Sequence, residues 1–322
     1  MQIPSITLAI CTYNNCQLLN RTLSTITQQQ VDLSINWSVL VVNNNSTDKT
    51  VQVVESHIQN NSIHNLRMVF ETQQGLSYAR RRAVTETTSD LIAFVDDDCF
   101  LSSNWVQEAV SFFQVHPQAG AVGGKVQLQW EIAPNESFLR LGGYLAEQNH
   151  GDVAIQMPSS TPTYLVGAGL VVCREALINS GWLENSAFTG RRGENLSAGD
   201  DSEIVLKIRN AGYQLWYNPA MYLDHFIPKS RISEDYFCRL LRGIGRSKTI
   251  LYILGYRLQP TFLVRLKILL NSIKYLCRLI LSITYRNILH RNNLSLERKA
   301  YLFDSVGSLE GSIEFLFKKY SL

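Results

Sequence analysis

The sequence predicts an α/β protein: a mostly parallel, doubly wound sheet flanked by helices, followed by a helical amphipathic appendage at the C-terminus. Three observations carry this. Short β-branched runs alternate with segments of helical period through the first hundred residues, the pattern of βαβ units. One run, residues 91–95, ends in three consecutive carboxylates, Asp96, Asp97 and Asp98, where an open α/β sheet places its ligands. Residues 1–225 carry 13 Lys/Arg against 21 Asp/Glu, whereas residues 226–300 carry 15 against 3, so an acidic body precedes a basic tail suited to phosphates.

The elements follow from local pattern. Residues 6–11 form a buried strand stopped by the turn-prone TYNN of 12–15, and Leu18, Leu19, Leu23 and Ile26 then recur at helical spacing. A second strand, 35–42, runs into NNNSTDKT (43–50), where Ser46 is expected to cap a helix bearing Val51, Val54 and Ile58. Residues 66–70 give a third strand, 75–85 a helix and 91–95 a fourth strand. A helix over 105–115 and a strand over 120–128 come next. The stretch 130–163 mixes Pro134, Pro158, Pro162 and the pair Gly142-Gly143 with scattered apolar residues, which fits either a variable region near an acceptor or a surface excursion.

Beyond it, YLVGAGLVVCREAL (164–177) reads as a small-residue strand leading into a helix. Gly167 and Gly169 would admit a ligand or another backbone, or mark a bulge. In GDDSEIVLKIRNAGY (199–213), Ile204, Val205 and Ile208 share a helical face that stops at Gly212. Asp200 and Asp201 then lie at the helix N-terminus, where the dipole favours negative charge, although a cap needs only one carboxylate. Residues 214–225 give one or two strands ending at Asp224-His225, ahead of Lys229 and Arg231.

Several classes are excluded. The six cysteines are scattered, without a C-x-x-C pair or zinc spacing, so reduced thiols are expected. No G-x-G-x-x-G follows the first strand, against a dinucleotide-binding dehydrogenase. The N-terminus lacks a basic segment followed by a long apolar core, which predicts a cytoplasmic protein. Three adjacent anions at a strand end are tolerated where a hard cation such as Mn²⁺ or Mg²⁺ neutralises them, or where they form a solvated acidic turn.

ICTYNN (10–15), VVNNNSTDKT (41–50), GLSYARRRAV (75–84) and FVDDDC (94–99), in this order and spacing, resemble the signature of glycosyltransferase family 2. The resemblance implies a GT-A domain over 1–230, with a nucleotide-binding half at 1–128 and an acceptor-side half at 129–230, and a basic tail over 231–322. It implies a nucleotide-diphospho-sugar donor held by Thr12, Tyr13, Asn14, Asn43, Asn45, Arg80, Asp96 and Asp97. By the same resemblance Asp98 and His225 hold the divalent metal, Mn²⁺ or Mg²⁺. Gly167, Asp200, Arg192 and Arg231 stand near acceptor or phosphate, and Asp201 is the catalytic base. The sequence departs from the family pattern at Asn43, commonly Asp, at Arg81, commonly Asn, and at Asp200, commonly Glu. The basic GRRG loop and tail further resemble bacterial surface and exopolysaccharide enzymes, including the hormogonium polysaccharide branch.

From Glu234 onward the reading is helical. Tyr236, Phe237, Leu240, Leu241 and Ile244 interleave with Arg239, Arg242, Arg246 and Lys248. Residues 262–285 are amphipathic but interrupted by Arg265, Lys267, Lys274 and Arg278, so no charge-free run approaches the ~18–20 residues of a membrane span. A helix lying on the cytoplasmic face of the inner membrane is expected, with packing on the catalytic domain as the rival. Nucleic acid is not expected as a partner. Residues 294–319 read as a last helix capped by Ser295. The function expected is metal-dependent, inverting sugar transfer to a lipid-linked or polysaccharide acceptor. A catalytically inactive membrane scaffold would have lost the carboxylates. A sugar-phosphate nucleotidylyltransferase would carry a G-x-G-T-R-type loop, absent after Cys11.

Overall fold

A computed structural model describes residues 3–63, 65–191, 196, 198–290 and 295–318. Strands β1 (Ile6–Thr12), β2 (Trp37–Asn43), β3 (Leu66–Phe70) and β4 (Leu91–Asp96) are parallel, linked by helices α1 (Cys16–Ile26), α2 (Thr50–Gln59) and α3 (Leu76–Glu86). There follow β5 (Cys99–Leu101), α4 (Trp105–Val115), β6 (Ala119–Trp130), α5 (Glu136–Arg140), β7 (Ile155–Gln156), β8 (Leu170–Cys173), α6 (Arg174–Asn179), α7 (Asp200–Asn210) and β9 (Gln214–Ile227). The sheet order is β3-β2-β1-β4-β8-β6-β9-β5, with β7 on β9. The expected α/β architecture is therefore present, and residues 214–225 belong to one long strand.

Alternation along the central strands explains the layers. Leu8, Ile10, Val39, Val41, Ala93 and Val95 face the side of α1, α2 and α4, while Ala9, Leu40, Val42, Ile92 and Phe94 face that of α3, α6 and α7. Both faces are buried, as crossover helices require of a parallel sheet. Register sets the site: Thr12 lies opposite Asn43 and Cys11 opposite Asp96, so β1, β2 and β4 end level. Antiparallel β8 pairs Leu170 with Phe94, returning the preceding Gly167 to that edge, and β5 pairs Cys99 with His225.

Ser46 does not cap α2. Asp48 accepts from the Thr50 amide (3.0 Å) and hydroxyl (2.6 Å), because a carboxylate two residues before the helix reaches its first turn, and Ser46 instead accepts from the Asn14 amide at 3.0 Å. Ser295 precedes the last helix as expected, but its side chain makes no capping bond.

The tail consists of α8 (Glu234–Gly255), α9 (Phe262–His290) and α10 (Leu296–Phe317). Phe237, Leu240 and Leu241 of α8 pack with Leu128, Phe138 and Ile227, and its Ile250, Leu251 and Leu254 pack with Leu206 of α7. Helices α8 and α10 meet almost backbone to backbone: a Cβ on Gly245 would fall 2.1 Å from the Asp304 carbonyl oxygen, and one on Gly307 2.0 Å from that of Arg242. Three basic residues of α8 find partners on α10, Arg242 on Glu310, Arg246 on Glu314 at 3.3 Å and Lys248 on Asp304 at 2.5 Å, while Arg239 pairs with Asp235 of its own helix. Packing thus accounts for α8 and α10. Among the described residues no helix is long and apolar enough to cross a membrane.

Gly307→Val should lower stability by about 1–3 kcal/mol, because overpacking must force the two helices apart. Gly143→Val, whose new side chain meets open space, should be far milder. Thermal unfolding of the two variants checks this, and equal losses would contradict the close approach.

Candidate active site

The acidic triplet divides into three roles because the chain turns between β4 and β5. Asp96 is partly exposed at the strand end. Asp97 turns inward, accepting from the Thr12 hydroxyl at 2.6 Å and the Asn15 amide at 2.7 Å, while its backbone carbonyl accepts from Thr22 at 2.9 Å. Asp98 is buried, 3.1 Å from the Arg231 guanidinium and 3.4 Å from His225 Nε2. Burial opposes ionisation of Asp98, but His225 and Arg231 overcome it and hold the carboxyl well below the usual range. Asp97 goes the other way, pushed up to about 7 by burial and by the charge of Asp98 against the help of Thr12 and Asn15.

A carboxylate oxygen from each of Asp96 and Asp98 and the Cys99 sulfur lie within 4.8 Å of one another, a spacing that could hold a metal. Burial pushes the Cys99 thiol far above its ordinary value, and sulfur is a soft ligand ill suited to Mn²⁺ or Mg²⁺. His225 supplies a better donor. Its Nδ1 faces the Leu145 carbonyl oxygen at 2.9 Å, which only accepts, so Nδ1 carries the proton. Its Nε2 faces the Asp98 carboxylate at 3.4 Å. The Asp96 and Asp98 carboxylate oxygens are hard donors of the kind that suits Mn²⁺ or Mg²⁺.

Arg80, buried on α3, links the triplet to the second acidic cluster. Its guanidinium lies 2.7 Å from Asp200 and 3.7 Å from Asp96, over the Phe94 ring. Burial works against the charge of Arg80, but Asp200 and Asp96 more than offset it and hold its pKa above the ordinary value. Gly199, at a φ of +106°, turns the chain into α7, so that Asp200 enters inward toward Arg80 and Asp201 faces the strand edge. Asp201 accepts from the Gly167 amide at 2.9 Å and the Ser202 amide at 2.7 Å. A Cβ on Gly167 would fall 2.9 Å from both Arg80 and Asp201, so close approach is the reason for this glycine.

The loops after β1 and β2 are tied together. Asn14 accepts from the Thr47 amide at 2.7 Å, Asn43 from the Ser46 amide at 2.8 Å, and Asn45 donates to the Thr72 carbonyl at 2.5 Å. Thr12 is buried and Tyr13 exposed beside them. The structure thus brings Thr12, Asp96, Asp97, Asp98, Arg80, Asp200, Asp201, Gly167, His225 and Arg231 to one edge. Arg192 lies outside the described residues. Sequence reasoning missed Asn15 and Thr22, which hold Asp97, and Arg191, whose charge reaches both Asp98 and Asp200. Asn15 stood in the turn that ends β1, the signal that could have found it.

Asp97→Asn should flatten one part of the pH–stability profile. As pH rises from 3.8 toward about 7 the unfolded chain ionises Asp97 while the folded protein still holds the proton, so stability declines across that window. The asparagine cannot ionise, and its amide still accepts from Asn15 and donates to Thr12. Thermal unfolding across the window, with chelator present, should show a shallower decline in the variant; equal slopes would contradict the burial of this carboxyl.

Residues 7–164 match the family model "Glycosyl transferase family 2". The glucosyl-dolichyl phosphate glucuronosyltransferase of Haloferax volcanii is 25% identical over 190 residues, covering 57% of this chain and 58% of that protein. Glycosyltransferase AglE of the same organism is 27% identical over 218 residues, covering 67% and 64%. The chain thus spans roughly three fifths of the length of these relatives. Among solved structures, the mannosyltransferase PcManGT of Pyrobaculum calidifontis, in complex with GDP-Man and Mn²⁺, superposes with a TM-score of 0.62 at 19% identity, over 98% of this chain and 87% of that one. S. aureus TarS 1-349, in complex with UDP-GlcNAc, gives 0.53 at 16% identity, over 77% and 66%. These two likenesses speak for the GT-A fold, the first of them through the C-terminal helices. With the four ordered motifs gathered at one sheet edge and the family model matching the residues that carry them, residues 7–164 form a glycosyltransferase family 2 domain.

Proposed function

We propose that the protein is a metal-dependent, inverting glycosyltransferase that moves a sugar from a nucleotide-diphospho-sugar to a lipid-linked or polysaccharide acceptor, working in surface polysaccharide synthesis at the cytoplasmic face of the membrane. One observation carries the reading: a cation-ready pair, Asp96 and Asp98, shares an edge with a separate carboxylate, Asp201, held by two backbone amides. A nucleotidyl group needs the first, and activation of a sugar hydroxyl needs the second. The names of the relatives support sugar transfer, the GDP-Man and UDP-GlcNAc bound by the two solved proteins favour a nucleotide-sugar donor, and "glucosyl-dolichyl phosphate" in one relative's name favours an acceptor linked through a lipid phosphate.

In this reading Thr12, Tyr13, Asn14, Asn43 and Asn45 line the nucleoside pocket. Asp96, Asp98 and His225 hold Mn²⁺ or Mg²⁺, which when bound offsets charge growing on the departing diphosphate. Arg231, now on Asp98, is placed to turn its guanidinium to a phosphate. The acceptor oxygen bonds to the anomeric carbon as that carbon's bond to the diphosphate oxygen breaks. The diphosphate leaves with the electron pair, and the hydroxyl proton passes to Asp201. Attack from the side opposite the leaving group inverts the configuration. The Gly167 and Ser202 amides orient the base, and Arg80 neutralises Asp200 beside it.

Calorimetric titration of UDP, GDP and TDP, with and without Mn²⁺, tests the donor half. One nucleotide should bind with a metal-dependent component that Asp98→Ala abolishes. Asp201→Asn should keep that binding while lowering turnover by about 10²–10⁴-fold. Metal-independent or absent binding of all three nucleotides overturns the reading.

A further inference from the structure

Helix α9 differs from its neighbours in how its surface is used. Its 29 residues include no acidic side chain. Arg265 donates to the carbonyls of Pro260, Phe315 and Lys318, but Lys267, Lys274 and Arg278 make no ion pair among the described residues. On α8, by contrast, Arg242, Arg246 and Lys248 are met by carboxylates of α10 and Arg239 by Asp235 of its own helix.

Its three sides are distinct. One stripe, with Arg265, Ile268 and Ser272, packs on α10, where Ser272 lies 2.9 Å from Ser312. A second, Leu263, Leu270, Ile273, Cys277 and Leu281, recurs after seven residues and then at three- and four-residue steps, and covers an arc of roughly 100°. It faces outward: Leu263 is 74% exposed, Leu270 56% and Leu281 69%. Lys267, Lys274 and Arg278 are exposed and border that arc on one side. An exposed apolar stripe this long marks an interaction surface.

We propose that α9 is a docking surface for an anionic lipid bilayer, lying in the plane of the interface with Leu263, Leu270, Ile273 and Leu281 among the acyl chains and Lys267, Lys274 and Arg278 on the headgroups. Charge decides the occupant. A second copy of the chain would bring another α9, again cationic and without a carboxylate, whereas an anionic leaflet supplies the missing counter-charge. The inference rests on α9 alone and not on the catalytic reading.

Sedimentation of the full chain with vesicles of phosphatidylcholine, or of phosphatidylcholine mixed with phosphatidylglycerol, tests it. The wild type should bind the mixed vesicles far better, with binding weakened by salt. The variant K267E/K274E/R278E should bind them on the order of a hundredfold less, at about one kcal/mol per cation. L263N/L270N/L281N should also lose binding. All six positions are at the surface, so unfolding curves and the nucleotide titration should match the wild type, which separates failure here from failure of the donor site. Equal binding to both vesicle types, no binding to either, or variants that bind like the wild type overturns the proposal. So does a concentration-dependent dimer that the variants dissolve, which would make a second copy the occupant.

Discussion

The buried guanidinium of Arg80 is the interaction on which the site depends. A cation this enclosed is stable only beside compensating charge, and its two partners come from distant parts of the sequence, Asp96 at the end of β4 and Asp200 at the start of α7. The pairing fixes the distance between the strand edge and the helix that carries Asp201. It leaves no room for a side chain at Gly167, whose amide holds Asp201. Packing, electrostatics and the placement of the proposed base thus follow from one desolvated arginine.

The triplet shows how backbone direction separates chemically identical residues. Three adjacent carboxylates cannot share one environment. The chain sends Asp96 outward, ties Asp97 to the first strand and helix, and buries Asp98 against His225 and Arg231. Only then can the middle residue serve as a structural tie while its neighbours remain available to a cation.

Much of this was legible in the sequence. The first four strands announce themselves because each is a short apolar run cut off by polar turns, and α4 because Trp105, Val106, Ala109 and Val110 repeat at helical spacing. The edge where the motifs meet follows from their all standing at strand ends. The partner choices were not legible, since they depend on register: nothing local says that His225 lies opposite Cys99, or that Arg80 reaches a residue 120 positions away. The α2 cap was misassigned because Ser46 and Asp48 both suit the position and only the loop contact with Asn14 decides between them. In the tail, local pattern could not tell that Arg242, Arg246 and Lys248 of α8 meet carboxylates of α10 while Lys267, Lys274 and Arg278 of α9 make no ion pair among the described residues.

Gly199, the residue that turns the chain into α7, is pressed against Ser247 and Leu251 in the middle of α8: a Cβ there would fall 2.9 Å from that of Ser247. The helix that begins with Asp200 and Asp201 is therefore seated on the appendage as well as on the sheet, with Leu206 buried in the same contact. The two parts are not interchangeable modules. A tail borrowed from a relative would have to reproduce this seat for the acidic helix to stand where it does.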